Sequence, residues 1–274
     1  MRLTSILEIR QRVDMLDGGN GNRMTLSFID HLEIRLREDP PKQKGQRTRE
    51  RLKIATAKVL EQKGYHAMRV TDVTETAQVA EGSFYVYFKD KTEAALTVLT
   101  SLLEDFFPIH IDPPRERSAF ESIRFANRRW LALCRANPGL VRCILQLGDQ
   151  APEFARLAQQ TNSAWYRRVT ASVLRHREGL SDGPVMLMVQ LLGAMMDEVV
   201  RKLIVYPDPD FVQLTDRLGA GDDVVADAAS VIWLRVLYPD AAMPDLPADV
   251  KALSGWVFGG SPLEGSAGRE PISL

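Results

Sequence analysis

Only two cysteines, Cys134 and Cys143, occur in the 274 residues, too few for a disulfide framework, and neither has a His or Cys nearby at metal-ligand spacing. They read as small buried hydrophobes. The four histidines, His31, His66, His110 and His176, are scattered, with no nucleophile elbow or phosphate loop around them. Asp197 and Glu198 are adjacent on a helical stretch and so point apart, a poor acid–base pair. Neither an enzyme nor a cofactor is expected. No uninterrupted apolar run reaches the ~18 residues that span a bilayer, because Asp197, Glu198, Arg201 and Lys202 break the longest one. The N-terminus lacks the apolar segment of a signal peptide, so a cytoplasmic address is expected. Alternating strands are missing as well, and the expected fold class is all-α.

What is present is an ordinary core-forming composition, 45% hydrophobic and 26% charged, long enough for two modest domains. The net charge of −1 hides an asymmetry. Residues 42–91 hold 11 Lys or Arg against 6 Asp or Glu, so the rest of the chain is acidic. The basic end is where a polyanion should dock.

Within that basic region, residues 71–91 read TDVTETAQVAEGSFYVYFKDK. A short helical segment from Thr71 to Gln78 meets a tight turn, and a second, Glu81 to Phe88, ends at a charged turn before a new helix. That is the outline of a helix-turn-helix. Val73 and Ala77 share a face, Val79 plugs the turn, and the small Ala77 lets the two helices cross closely. Gly82 is read as permitting approach of another backbone. Phe84 and Phe88, four apart, anchor the second helix inward, which leaves Ser83, Tyr85 and Tyr87 as a hydroxyl-bearing outer surface.

The segment resembles the DNA-binding region of the TetR family of bacterial regulators. Val73, Ala77, Val79, Gly82, Ser83, Phe84, Tyr85, Tyr87, Phe88 and Lys91 stand on the matching positions. Thr74 replaces a small alanine, and Gln78 replaces the turn glycine, which opens the question of that turn's backbone angles. Ala80 replaces a serine and removes a capping hydroxyl worth about 0.5–2 kcal/mol. The resemblance implies that Tyr85 and Tyr87 place hydroxyls on phosphates, with Thr71 and Lys91 clamping the same backbone. It also puts Ala80, Glu81, Gly82 and Ser83 where base edges are read in the major groove. Glu81 either accepts from a cytosine amino group or is an acid favouring a positive helix end.

Ahead of the motif, 42–63 is strongly helical, with Leu52, Ala55, Val59 and Leu60 on one face and Gly64 as its C-cap. The run Lys42, Lys44, Arg47, Arg49, Arg51 and Lys53 is read as a flexible arm neutralising phosphates or entering the minor groove. Residues 1–41, with weak periodicity at Ile6, Ile9, Val13 and Leu16 and a possible helix from Leu26 to Leu36, are expected to be a poorly packed extension. Thr92 to Phe107 reads as a linking helix, with Lys91 and the helix end meeting a phosphate. Pro108, Pro113 and Pro114 mark a domain boundary.

Residues 92–238 form the expected second domain, helical over Ser118 to Ala136, Gly139 to Leu147, Ala151 to Arg177, Pro184 to Val205 with Asp182 as cap, and Asp222 to Leu237. Residues 239–274 are expected to be a disordered tail, with Trp256, Val257 and Phe258 tacking down locally. The helices 184–205 and 222–237 are apolar on two faces, and a second copy covering one face of each would give a homodimer through four helices. The family resembled makes its dimer there. Phe125, Trp130, Cys134, Leu145, Trp165, Met188 and Leu192 are candidates to line an apolar pocket for a small hydrophobic effector, an acyl or aromatic compound. Together these readings describe a dimeric repressor on a palindromic double-stranded DNA operator. The rival reading is an effector-independent structural or cell-division factor of the same fold.

Overall fold

The computed structural model describes residues 25–108, 118–242 and 244–254, and every regular element among them is a helix. In chain order these are α1 (Phe28–Glu38), α2 (Lys44–Ala67), α3 (Val70–Ala77), α4 (Glu81–Phe84), α5 (Lys91–Ser101, extended by a π-helical turn Leu102–Phe106), α6 (Ala119–Ala136), α7 (Pro138–Gln150) and α8 (Pro152–His176). Then come α9 (Asp182–Val200, extended by a π-helical turn Arg201–Val205), α10 (Pro209–Arg217), α11 (Asp222–Leu237) and α12 (Ala248–Ser254).

Most starts and stops are written locally. Ser118 and Glu121 form a reciprocal capping box at α6. Pro138 and Pro152 open α7 and α8 at positions where the missing N–H is no loss. Gly64 (φ 76°) breaks α2 as expected, although one further turn follows before the helix ends at Ala67. Ser181 rather than Asp182 occupies the N-cap of α9.

Residues 25–39 are not a loose extension. Ser27 caps α1, and Phe28 and Leu32 are buried, with the Phe28 ring edge-on to Phe106 at 5.3 Å. Asn137, at the break between α6 and α7, accepts from the Phe28 N–H and donates to the carbonyls of Leu26 and Leu133, all at 2.8 Å. A buried amide side chain with those three partners holds the N-terminal segment to the centre of the molecule. The tail also departs from expectation. Leu246 and the α12 residue Val250 are buried against Phe120, Val231 and Leu234, and the short α10 lies in what reads as a connection. The candidate helix at Ile6–Leu16, the pair Pro113–Pro114 and Trp256–Phe258 lie outside the described residues.

The two expected domains share one core. A continuous buried cluster runs from Leu52, Val73 and Phe84 through Leu99 and Phe106 of α5 into Leu131, Leu140, Phe154 and Leu203. At the tightest point, α2 and α7 approach so closely that a Cβ on Gly139 would lie 2.0 Å from the carbonyl oxygen of Glu61. The Glu61 side chain then accepts from the backbone N–H groups of Gly139 and Leu140, both at 2.9 Å. Burial raises this carboxyl while those two donors lower it, with a net upward shift.

A second cluster joins Val173, Val189, Leu192, Met196 and Trp233. The 182–205 segment is, by length and composition, apolar enough to cross a membrane despite its charges, but here its buried face is part of that cluster. Across it, α11 is tied to α6 by a buried carboxylate: Asp227, with no exposed surface, accepts four hydrogen bonds of 2.5–2.9 Å from Arg124 and Arg128. Nearby, Asn127 donates to Ser230 at 2.9 Å.

Candidate nucleic-acid interface and internal cavity

The turn between α3 and α4 answers the question raised by the missing glycine. Gln78 itself adopts the left-handed conformation (φ 55°, ψ 51°), the one non-glycine residue with positive φ among those described. Two backbone bonds close the turn, and the Arg51 guanidinium donates to the Ala77 carbonyl at 2.6 Å, satisfying an end of α3. Thr74 is buried where the family has alanine, with its hydroxyl donating to the carbonyls of Val70 and Thr71. Ala80 caps α4 with no side-chain bond. Regular helix lasts only from Glu81 to Phe84, shorter than expected, and bonds from Tyr87 and Phe88 back to Phe84 carry the chain onward as turns.

Phe84 and Phe88 are buried and Tyr85 is 57% exposed. Thr71, Ala80, Glu81 and Gly82 are also exposed, while Ser83 and Tyr87 are half-buried. Among the described residues a Cβ on Gly82 would meet nothing within 4 Å, so the glycine leaves an open outer patch rather than serving an internal contact. Sequence reasoning missed Val86, the most exposed apolar residue of this surface at 75%.

The basic run is not an arm. Helix α2 begins at Lys44, and several of its cations hold the fold: Arg47 donates to the carbonyls of Pro41 and Lys42, Arg49 lies over the Phe88 ring, and Lys53 is buried. Exposed Lys42, Lys44 and Arg47 remain at the start of α2, where Gln43 provides no side-chain cap. That helix end adjoins the outer surface of α4, since a Cβ on Gly45 would sit 3.5 Å from the Tyr87 hydroxyl. Lys91 points elsewhere than expected. Its ammonium lies 3.2–3.4 Å from the carbonyls of Tyr65, His66 and Met68 and 4.9 Å from the Tyr65 ring, so it staples α5 to the end of α2. The N-terminus of α5 is capped by Asp90, which accepts from Glu93 N–H.

A cavity of about 230 Å³ lies among α5, α6, α7, α8, α9 and α11. Leu103, Phe107, Pro108, Trp130, Val141, Ile144, Met196, Val200 and Val205 make much of its apolar wall. Of the seven predicted pocket residues, Trp130, Leu145 and Trp165 line it. Cys134 is instead fully buried in the core, Leu192 is buried against Val189 and Trp233, Met188 faces outward, and Phe125 is not among the lining residues. The polar lining was missed: Asn127, Thr161, Asn162, Tyr166, Arg168, Asp197 and Arg201. Gly193 makes room there for Tyr166, whose ring and hydroxyl would lie 2.6 Å from a Cβ at that position and would have to shift. Asp197 is reached by water through the cavity but crowded by protein, and that loss of solvation pushes its carboxyl up to about 6. Among the described residues, no group of three or more His, Cys, Asp or Glu could hold a metal ion.

Residues 54–95 match the family described as bacterial regulatory proteins, tetR family. The likeness to that family rests on this N-terminal segment. Two solved structures share the fold across both parts. The fatty acid degradation regulator FadR from Bacillus halodurans aligns at TM-score 0.50 and 14% identity, over 72% of this chain and 97% of its own. A regulator from Mesorhizobium loti assigned to the TetR family aligns at TM-score 0.54 and 16% identity, over 71% of this chain and 98% of its own. A search of curated protein sequences finds no match. The TetR match covers α3, α4 and parts of α2 and α5, and α1 lies outside it.

Proposed function

We propose that the chain is a ligand-responsive transcriptional repressor, a homodimer that holds a palindromic operator and is released by a small hydrophobic effector. The observation that carries this reading is the course of α5. Its first residue, Lys91, is stapled to the end of α2, and its far end, at Leu103, Phe107 and Pro108, forms a wall of the cavity. One rod of about 24 Å therefore touches both the reading head and the space a ligand would fill. An effector that fits the cavity better in one placement of α5 than another shifts the pair of heads by that difference in affinity; 1–3 kcal/mol suffices for a 5–150-fold change.

For DNA, the reading head uses Tyr85, Tyr87 and Thr71, with Lys44 and Arg47 beside them, on phosphates, and Ala80, Glu81, Gly82 and Ser83 on base edges. Lys91 acts by holding the head rather than by touching DNA. Tyr85→Phe should weaken binding to operator and to unrelated duplex alike, by about 1 kcal/mol per half-site, as read in a gel shift at fixed salt. Loss confined to one sequence would assign Tyr85 to base reading instead.

One short helix reads too few bases to find a single site, and a two-fold dimer would set two of them one DNA turn apart, roughly 34–36 Å. The surface suited to this is the outer side of α9 and α11, where Leu187 (54% exposed), Met188, Leu191 (56% exposed), Ile232 and Val236 leave apolar area uncovered. Leu192, two-faced in the sequence, is interior, so a charge there would test folding. Leu191→Asp should give a monomer with unchanged helix content by circular dichroism; a dimer in sedimentation equilibrium would refute this face. The repressor reading as a whole is tested by a gel shift on the DNA upstream of the gene, with and without a hydrophobic extract. Failure of any extract to release the DNA would sink it.

A further inference from the structure

The geometry points to a cation site inside the cavity, in which Asp197 takes the positive head of an organic amine or quaternary ammonium whose apolar body lies along the tryptophan walls. This rests on the proposal that the cavity is the effector site, and it names the chemical class of the ligand. The Asp197 carboxylate lines the cavity with no hydrogen bond or ion pair to any described residue. Water reaches this carboxylate through the cavity, and no described side chain pairs it, so its charge is available to a ligand.

The neighbouring charges do not supply the partner. Arg201, also on the lining, spends its guanidinium on Glu198 at 2.6 and 2.7 Å. Arg168 is engaged in an interaction of its own. The upward displacement of the Asp197 carboxyl has loss of water as its cause, with no lowering by either arginine. From α8 and α6 the groups that feel its charge are the Tyr166 phenol and the Cys134 thiol, both pushed up by burial first and by Asp197 second. Neither carries a positive charge.

The walls suit the same ligand. Trp130 meets Phe107 edge-on at 5.3 Å, and Trp165 meets Trp233 at 5.9 Å, so two aromatic pairs bound the space. Ring faces attract cations, and one carboxylate among aromatic rings selects an organic cation over a neutral compound of equal shape. The pH dependence follows from Asp197. Below about 6 its carboxyl is protonated and the attraction is lost; above that value it is present in full.

The test compares benzyltrimethylammonium with its uncharged carbon isostere, neopentylbenzene, on the full chain by quenching of tryptophan fluorescence. At pH 7.5 the cation should bind at least about tenfold tighter than the isostere. That advantage should vanish in Asp197→Asn and shrink at pH 5 in the wild type, while isostere binding stays level. Equal binding of the two probes, or an advantage that survives Asp197→Asn, overturns the cation site and leaves the cavity reading standing. If neither probe binds, the effector reading falls and the cation site with it. If the cation binds as expected but a gel shift shows the operator still held, the cation site stands and the gating proposal falls.

Discussion

Gly139→Ala is expected to destabilise the protein by about 3 kcal/mol or more, because the new methyl group would meet backbone, not a side chain that can swing aside. The added carbon would lie 2.0 Å from the Glu61 carbonyl oxygen and 2.6–2.7 Å from the adjoining backbone carbons, so α2 and α7 must move apart. Separation also lengthens the bonds from Gly139 and Leu140 N–H to the Glu61 carboxylate, a pairing favoured by the positive end of α7. The control is in the same helix. A Cβ at Gly148 meets nothing within 4 Å, and Gly148→Ala should be neutral or stabilising by up to about 1 kcal/mol. Urea unfolding followed by circular dichroism measures both. Equal stability of the Gly139 variant and the wild type would show that the close approach of α2 and α7 does not hold in solution.

The second large effect is expected at Asp227. Removing this carboxylate by Asp227→Ala leaves the Arg124 and Arg128 guanidiniums facing a buried gap and should cost about 3–5 kcal/mol. Burial alone would raise the Asp227 carboxyl, but the hydrogen bonds from Arg128 and Arg124 more than offset it and leave it below the ordinary range. A depressed carboxyl stabilises the fold above the unfolded value of about 3.9, and that contribution is lost as pH falls below it through the folded value. Wild type and variant should therefore differ most above about pH 4 and converge in more acidic buffer. A thermal melting series over pH 3–7 reads this, and a gap that does not narrow on acidification would remove the ion pairs as its source.

The helix-turn-helix was legible because its information is local. Phe84 and Phe88 four apart, Ala77 at the crossing and Val79 at the turn are consequences of one short motif, and the structure buries each aromatic as the spacing requires. Helix α1 was legible as a possible helix but its packing was not, because its apolar residues are few and their partners are Phe106 and Asn137, far along the chain. Lys91 failed for a related reason. A lysine at a helix start reads as a phosphate ligand until the carbonyls at the end of α2 are seen around it. The cavity was half legible: aromatic spacing found Trp130 and Trp165, but which face of α9 turns inward depends on α8 and α11. Asp197 and Glu198 were expected to point apart, but adjacency does not say which of them meets a cavity. In the fold the two part company, Glu198 outward to Arg201 and Asp197 to the cavity.

The uninterrupted core beneath α5 also bears on how such a chain can be re-engineered. Cutting between head and body would strip Phe106 and Leu102 of their neighbours on one side or the other, leaving each half with a greasy wound. On the proposed function, exchange of DNA specificity in this chain would be a matter of repainting the outer residues of α3 and α4 in place, rather than of transplanting a module.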